Sequence, residues 1–252
     1  MSNINRKKKR SPNKETKGSK EPVVKQPLSL KEVKPLTVNQ RRCMDGFWSG
    51  KNLMMHGTTG TGKTFLAISL GLQAVLNDDI FEKLVIVRSV VPTRDMGFLP
   101  GNQNEKMLAY EVPYISICRE LFGRSDAYSL LKSKGKIEFM STSFSRGTTI
   151  SDCVVVVDEI QNLNSHEANT IITRAGKGTR IIFSGDIRQS DLNKGKEISG
   201  LRDFIQIIKK MKSFDTIEFS SDDICRSQLV REYILIRNEL EDDGIIEPLS
   251  KA

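Results

Sequence analysis

Short, unbroken apolar runs alternate with longer amphipathic segments along most of the chain. Leu53-Met54-Met55-His56, Leu84-Val85-Ile86-Val87, Val154-Val155-Val156-Val157 and Arg180-Ile181-Ile182-Phe183 lack the every-second-residue polar positions of a half-exposed strand. Runs of this kind read as strands covered on both faces, as in a parallel sheet. Shorter strands are expected at 137–140 and 216–220. Helical spacing places helices at 40–48, 63–76, 112–122, 165–175, 200–211 and 227–240. Strands alternating with helices predict an α/β fold, a mainly parallel sheet with helices on both faces and right-handed crossovers. Residues 89–136 open with Pro92, Gly97, Pro100 and Gly101 and read as an insertion into that core. The core domain is expected over 36–244. Asp242-Asp243-Gly244 ends the last helix and leaves 245–252 as a frayed tail.

The first apolar run leads into Gly57-Thr58-Thr59-Gly60-Thr61-Gly62-Lys63-Thr64, a complete G-x-x-x-x-G-K-[ST] phosphate-binding loop. Strand before and helix after are the context the motif needs, so a P-loop NTPase fold follows. Glycines let the backbone turn with positive φ and bring N–H groups close to an anion. The loop enters a helix N-terminus, whose unpaired N–H groups and dipole favour phosphate. Lys63 is the expected point charge on the β- and γ-phosphates, and the Thr64 hydroxyl an expected Mg²⁺ ligand.

Such a loop requires a second, acidic partner. The β-branched run 154–157 ends in Asp158-Glu159, 95 positions beyond Lys63. Open α/β sheets bind ligands at the carboxyl ends of their strands. Asp158 is therefore the expected Walker B aspartate holding Mg²⁺, and Glu159 the group that polarises the attacking water. The same pair also fits a helix N-cap with a first-turn acid. An acid that activates water implies hydrolysis, not transfer to a second small molecule.

Three further features narrow the picture. Gln40 lies seventeen positions before Gly57, where superfamily 1 helicases place an adenine-reading glutamine. Asp158-Glu159-Ile160-Gln161-Asn162 resembles their D-E-A-Q motif, and Ser184-Gly185-Asp186-Ile187-Arg188-Gln189 their G-D-x-x-Q motif. With Gly97-Phe98-Leu99-Pro100-Gly101 and Ser145-Arg146-Gly147-Thr148-Thr149-Ile150, the chain from about Leu36 to Asn238 resembles the PhoH-like family of single RecA-type ATPase domains. The family has Arg-Pro after its second strand where this chain has Arg88-Ser89. That departure and the Glu-Ile-Gln-Asn variant point to a divergent, bacteriophage member. The resemblance implies that Gln40 reads adenine, so ATP is the nucleotide, and that Asp186 and Gln189 sense the γ-phosphate. It also implies that Arg226 is an arginine finger. The bland alternatives are an exposed helix residue for Gln40 and a surface salt bridge for Arg226. A hexamer or other homo-oligomer is a further implication, since one RecA-type domain leaves a motor's cleft to be completed by a neighbour.

Charge is uneven. Residues 1–35 hold eleven of the 39 Lys/Arg and three of the 31 Asp/Glu, a net of +8, so the remainder balances to zero. With Arg6-Lys7-Lys8-Lys9-Arg10 and few large apolar residues, 1–35 reads as a basic disordered arm. Such an arm is a footprint of non-specific nucleic-acid contact, or a solubilising tail. Arg88, Arg94 and Arg146 are the candidates for nucleic-acid phosphates on the core. Phe98 and Phe144 suit either base stacking or core packing. No apolar stretch spans a bilayer. The four cysteines are scattered without a C-x-x-C pair, which fits reduced thiols in a cytoplasm, the host's if the chain is phage-encoded.

Two readings from different classes follow. In the first the chain is an Mg²⁺-dependent ATPase, and a candidate helicase, coupling hydrolysis to remodelling or unwinding of RNA or single-stranded DNA. In the second it is a regulatory module in which ATP controls partner binding and turnover is incidental.

Overall fold

The structure, a computed structural model, describes residues 28–77, 81–89, 103–142, 149–186 and 195–246. In chain order its elements are α1 (Val38–Trp48), β1 (Asn52–Gly57), α2 (Lys63–Asn77), β2 (Lys83–Arg88), α3 (Gln103–Phe122), α4 (Ala127–Ser133), β3 (Ile137–Ser141), β4 (Cys153–Asp158), α5 (Ser165–Thr173), β5 (Arg180–Gly185), α6 (Gly195–Lys210), β6 (Phe214–Phe219) and α7 (Gln228–Asp242). Six strands form one sheet in the order β3-β2-β4-β5-β1-β6. Each neighbouring pair is parallel, so all six carboxyl ends share one edge. The α/β, RecA-like P-loop architecture expected from the pattern is therefore present, with β5 lying between the strand before the phosphate loop and the strand ending in Asp158.

The apolar runs bury both faces of the sheet, as their lack of alternation requires. Leu53 and Met55, with Val154 and Val156, pack under α1, α2, α3 and α4. Met54, with Val155 and Val157, packs under α5 and α6. Helix α2 lies close to the sheet: a Cβ at Gly71 would fall 2.6 Å from Leu84 Cδ1. Local signals start two of the helices. The Thr37 hydroxyl accepts from Gln40 N at the head of α1, and Asn164 with Glu167 forms a capping box on α5. No helix among the described residues is long and apolar enough to cross a membrane.

The structure redraws two boundaries. The described part of 89–136 is not an insertion: α3 and α4 form the crossover between the parallel neighbours β2 and β3. Helix α3 starts at Gln103, well before 112, and carries Pro113 inside it. Proline there removes one backbone hydrogen bond and normally ends a helix, which hid its first half. A buried carboxylate ties the crossover together. Glu111 on α3, 4% exposed, accepts from Tyr128 Oη at 2.7 Å and from Lys132 Nζ at 2.7 and 2.8 Å on α4.

The second boundary is the arm. Composition assigns 28–35 to the disordered segment, yet Leu28, Leu30 and Val33 pack against the core cluster and Lys31 N donates to Leu121 O at 2.9 Å. Half-burying three aliphatic side chains contributes on the order of 2–4 kcal/mol. A chain beginning at residue 36 should therefore unfold at a clearly lower urea midpoint than one beginning at residue 28. Equal midpoints would show that the segment only rests on the surface.

Candidate nucleotide site

β1 ends at Gly57, where the backbone adopts φ 115°. A Cβ there would lie 2.2 Å from Phe219 O at the end of β6, and Thr58 N donates to that same carbonyl at 2.9 Å. The close approach of β6 leaves room only for glycine. Further along, Cys225 N donates to Gly60 O at 3.0 Å and the buried Thr61 hydroxyl donates to Thr58 O at 3.0 Å. The loop is thus braced from β6, from the segment before α7 and from within. It delivers Lys63 as the first residue of α2, among the unpaired N–H groups of the helix start.

Lys63 is buried. Its ammonium donates to Gly57 O at 2.9 Å, Thr58 O at 2.6 Å and Thr61 Oγ1 at 3.2 Å. Burial lowers its pKa, and the negative charges of Asp186, Glu159 and Asp158 work against that shift. A lysine that replaces its hydration with three loop oxygens is a cation whose partners an anion can take over.

Across the sheet edge, Thr64 Oγ1 donates to Asp158 Oδ1 at 2.9 Å. Tyr114 on α3, fully buried, donates its hydroxyl to Asp158 Oδ2 at 3.0 Å. Asp158 is 2% exposed. Burial, then the neighbouring Glu159, pushes its pKa up; the two hydroxyls and Arg88 pull it back. The donor set fits magnesium. A hydroxyl and a buried carboxylate are hard oxygen ligands, and no group of three or more His, Cys, Asp or Glu among the described residues forms a complete metal cage. Magnesium is ordinarily held in this way, by one or two protein oxygens with substrate phosphates and water completing the shell.

Arg88, expected as a nucleic-acid contact, is half-buried at the end of β2, opposite Asp158 in the strand register. Its guanidinium lies 5.9 Å from the Tyr110 ring centroid. It belongs to the surroundings of the acidic strand end. Arg94 and Arg146, with Phe98 and Phe144, lie outside the described residues, as does Gln189.

Glu159 follows Asp158 in a left-handed conformation, φ 54° and ψ 50°. For a residue with a side chain this costs about 1–2 kcal/mol, and such strain clusters at functional sites. Its Oε2 accepts from Gln161 Nε2. Gln161 Oε1 in turn accepts from Asp186 N at 3.0 Å, just past the end of β5. Asp186 is buried there, close enough for its charge to act on Lys63.

Gln40 is not on an open helix face. It is 7% exposed; its Oε1 accepts from Leu36 N at 2.7 Å, and its Nε2 donates to Thr61 O at 3.0 Å and toward Cys225 Sγ at 3.4 Å. The amide holds the back of the phosphate loop. Arg226 is exposed at the rim of the same loop, its stem beside Gly60: a Cβ on that glycine would lie 3.3 Å from Arg226 Cγ. The structure therefore brings Gln40, the loop, Thr64, Asp158, Glu159, Asp186 and Arg226 to one end of the sheet. It adds Tyr114 and Gln161. Nothing in the spacing of α3 signals Tyr114, whereas Gln161 stood in the Asp-Glu-Ile-Gln motif without a role.

A family model described as PhoH-like protein matches residues 32–237. A PhoH-like protein of Mycobacterium leprae is 32% identical over 216 residues, covering 85% of this chain and 61% of that protein. One of Bacillus subtilis is 32% identical over 205 residues, covering 81% and 63%. The chain thus spans about three-fifths of the length of the curated relatives it matches. Among solved structures, the large terminase of a thermophilic bacteriophage aligns over 79% of this chain and 50% of its own, at 16% identity and a TM-score of 0.48.

Two outcomes follow from the geometry. An acid whose pKa is raised on folding favours the native state at low pH and burdens it as pH rises past that value. At pH 7, above the ordinary carboxylate range, Asp158 therefore costs the folded state stability. Asp158→Asn should raise the melting temperature of the nucleotide-free protein by roughly 2–4 °C per kcal/mol relieved, while abolishing hydrolysis; a lower melting temperature would contradict this. Because Gln40 holds Thr61, Gln40→Ala should weaken ATP and GTP binding by similar factors, on the order of tenfold for a lost buried hydrogen bond. A loss confined to ATP, read by competition with a fluorescent nucleotide, would instead support adenine reading by Gln40.

Proposed function

The chain belongs to the PhoH-like family, and from that premise we propose that it is a magnesium-dependent ATPase that couples hydrolysis to remodelling or unwinding of RNA or single-stranded DNA. The observation that carries the proposal is the Thr64–Asp158 hydrogen bond, which joins the phosphate loop to the acidic strand end. Loop N–H groups and the start of α2 receive the β- and γ-phosphates. Lys63 exchanges the carbonyls of Gly57 and Thr58 for phosphate oxygens. Thr64 and Asp158 would hold magnesium, which would supply neutralisation of phosphate charge. Glu159 orients the attacking water and draws off its proton. Asp186 and Gln189 register the γ-phosphate. Arg226, placed at the loop of its own chain, stabilises charge in the transition state.

Contact with nucleic acid rests on the basic segment 1–35, with Arg94 and Arg146 as core candidates; Arg88 passes to the nucleotide side. Self-association rests on α7. Leu229, Tyr233 and Ile236 recur at helical spacing on that helix and are 77%, 61% and 49% exposed, while Ile234 of the same helix approaches Gly60 of the loop. Exposed apolar stripes of this kind mark interaction surfaces, and a neighbouring copy covering this one would sit beside the nucleotide.

Glu159→Gln should keep ATP affinity within about threefold and lower hydrolysis by a factor of about 10²–10⁴, the usual contribution of a general base. Retained hydrolysis would remove Glu159 from the mechanism. Poly(U) RNA or single-stranded DNA should stimulate the full chain, and less so a chain beginning at residue 28. Absence of any stimulation would favour the reading in which ATP controls partner binding.

A further inference from the structure

Gln161 joins two strand ends that the sequence keeps apart. Its side chain is 4% exposed. One end of the amide donates to the Glu159 carboxylate; the other accepts from the Asp186 backbone N–H at 3.0 Å. The space it occupies depends on glycine. A Cβ at Gly185 would lie 2.4 Å from Gln161 Oε1 and 2.7 Å from Ile160 N. Glu159, in its left-handed conformation, is thus constrained by its own backbone and by a buried amide anchored on β5.

We propose that Gln161 is the positioning residue for Glu159 and makes the aim of that carboxylate depend on the Gly185–Asp186 peptide. The proposal rests on the reading of Glu159 as the group that orients water. A glutamate carboxylate can swing through several rotamers; one hydrogen bond from a doubly anchored amide selects among them. The amide is a two-ended strut. If the Asp186 peptide shifts when phosphate arrives, Gln161 Oε1 loses or follows its donor, and Nε2 carries the carboxylate with it. Hydrolysis is then conditional on the state of the β5 exit, with no contact between Asp186 and Glu159 required.

Gln161→Met keeps length and burial but has no amide. It should lower kcat by about 10–100-fold, the scale expected when a reacting group is displaced by about 1 Å, with KM for ATP within about threefold. In the Glu159→Gln background the same substitution should produce no further loss, because the residues act as one unit. In nucleotide-free protein, exchange of the Asp186 amide hydrogen should become about tenfold faster in Gln161→Met, as its acceptor is gone. Wild-type kcat in Gln161→Met, with Glu159→Gln inactive, overturns the positioning role alone. An active Glu159→Gln instead overturns the underlying reading. Unchanged Asp186 exchange overturns the strut whatever the activities. If Gln161→Met does not fold, Gln161→Asn, which keeps an amide but is one methylene too short to reach both partners, tests the same strut, and wild-type kcat in that variant overturns the proposal.

Discussion

Thr64 Oγ1 and Asp158 Oδ1 lie 2.9 Å apart although 94 positions separate them in the chain. Everything at the sheet edge depends on that closure. It requires β1, β4 and β5 to run parallel and end together, and it requires Asp158 to face α2. Along β4, Val154 and Val156 pack on the α2 side, while Val155 and Val157 pack toward α5 and α6. Alternation then turns Asp158 toward α2. A one-residue register slip would send it to the opposite face, so the four-valine run does more than fill the core: it sets the aim of the carboxylate. The left-handed Glu159 ends the alternation at the next residue.

Holding that geometry costs stability. Lys63 and Asp158 are both buried, and burial is the largest influence on each, lowering the lysine and raising the aspartate. Their hydrogen bonds compensate in part: three loop oxygens around the ammonium and two hydroxyls on the carboxylate. The surrounding scaffold is well packed on both faces, with the Glu111–Tyr128–Lys132 cluster clamping the crossover that carries Tyr114. A rigid frame around a strained, desolvated edge is the usual division between stability and function.

The loop, the acidic strand end and the strands of the core were legible because phosphate chemistry places its residue types side by side, next to apolar runs of clear period. What was not legible depends on contacts between distant segments. Gln161 acquires the Asp186 N–H as a partner only because β5 lies beside β4. Tyr114 reaches Asp158 from a helix whose first half is obscured by Pro113. Leu28, Leu30 and Val33 show no helical or strand period, so composition alone assigned them to the arm. Arg88 was expected as a contact to nucleic-acid phosphates and Gln40 as an adenine reader, and neither expectation could name the neighbours that the fold supplies. Arg88 pairs in register with Asp158, and Gln40 donates to Thr61.

The charge balance of the edge bears on the proposed magnesium site. Two cations, Lys63 and Arg88, stand among three carboxylates, Asp158, Glu159 and Asp186, whose charges act on them or on one another. A triphosphate brings roughly four more negative charges at neutral pH, and like charges at close range in a partly desolvated site repel by several kcal/mol. Lys63 and Arg88 together cannot offset both the phosphates and the acids. On the proposed reading, a divalent cation held by Asp158 would ease the conflict and give the buried carboxylate a cationic partner. The feature that burdens the nucleotide-free protein would, on the same reading, favour binding of magnesium together with ATP over ATP alone.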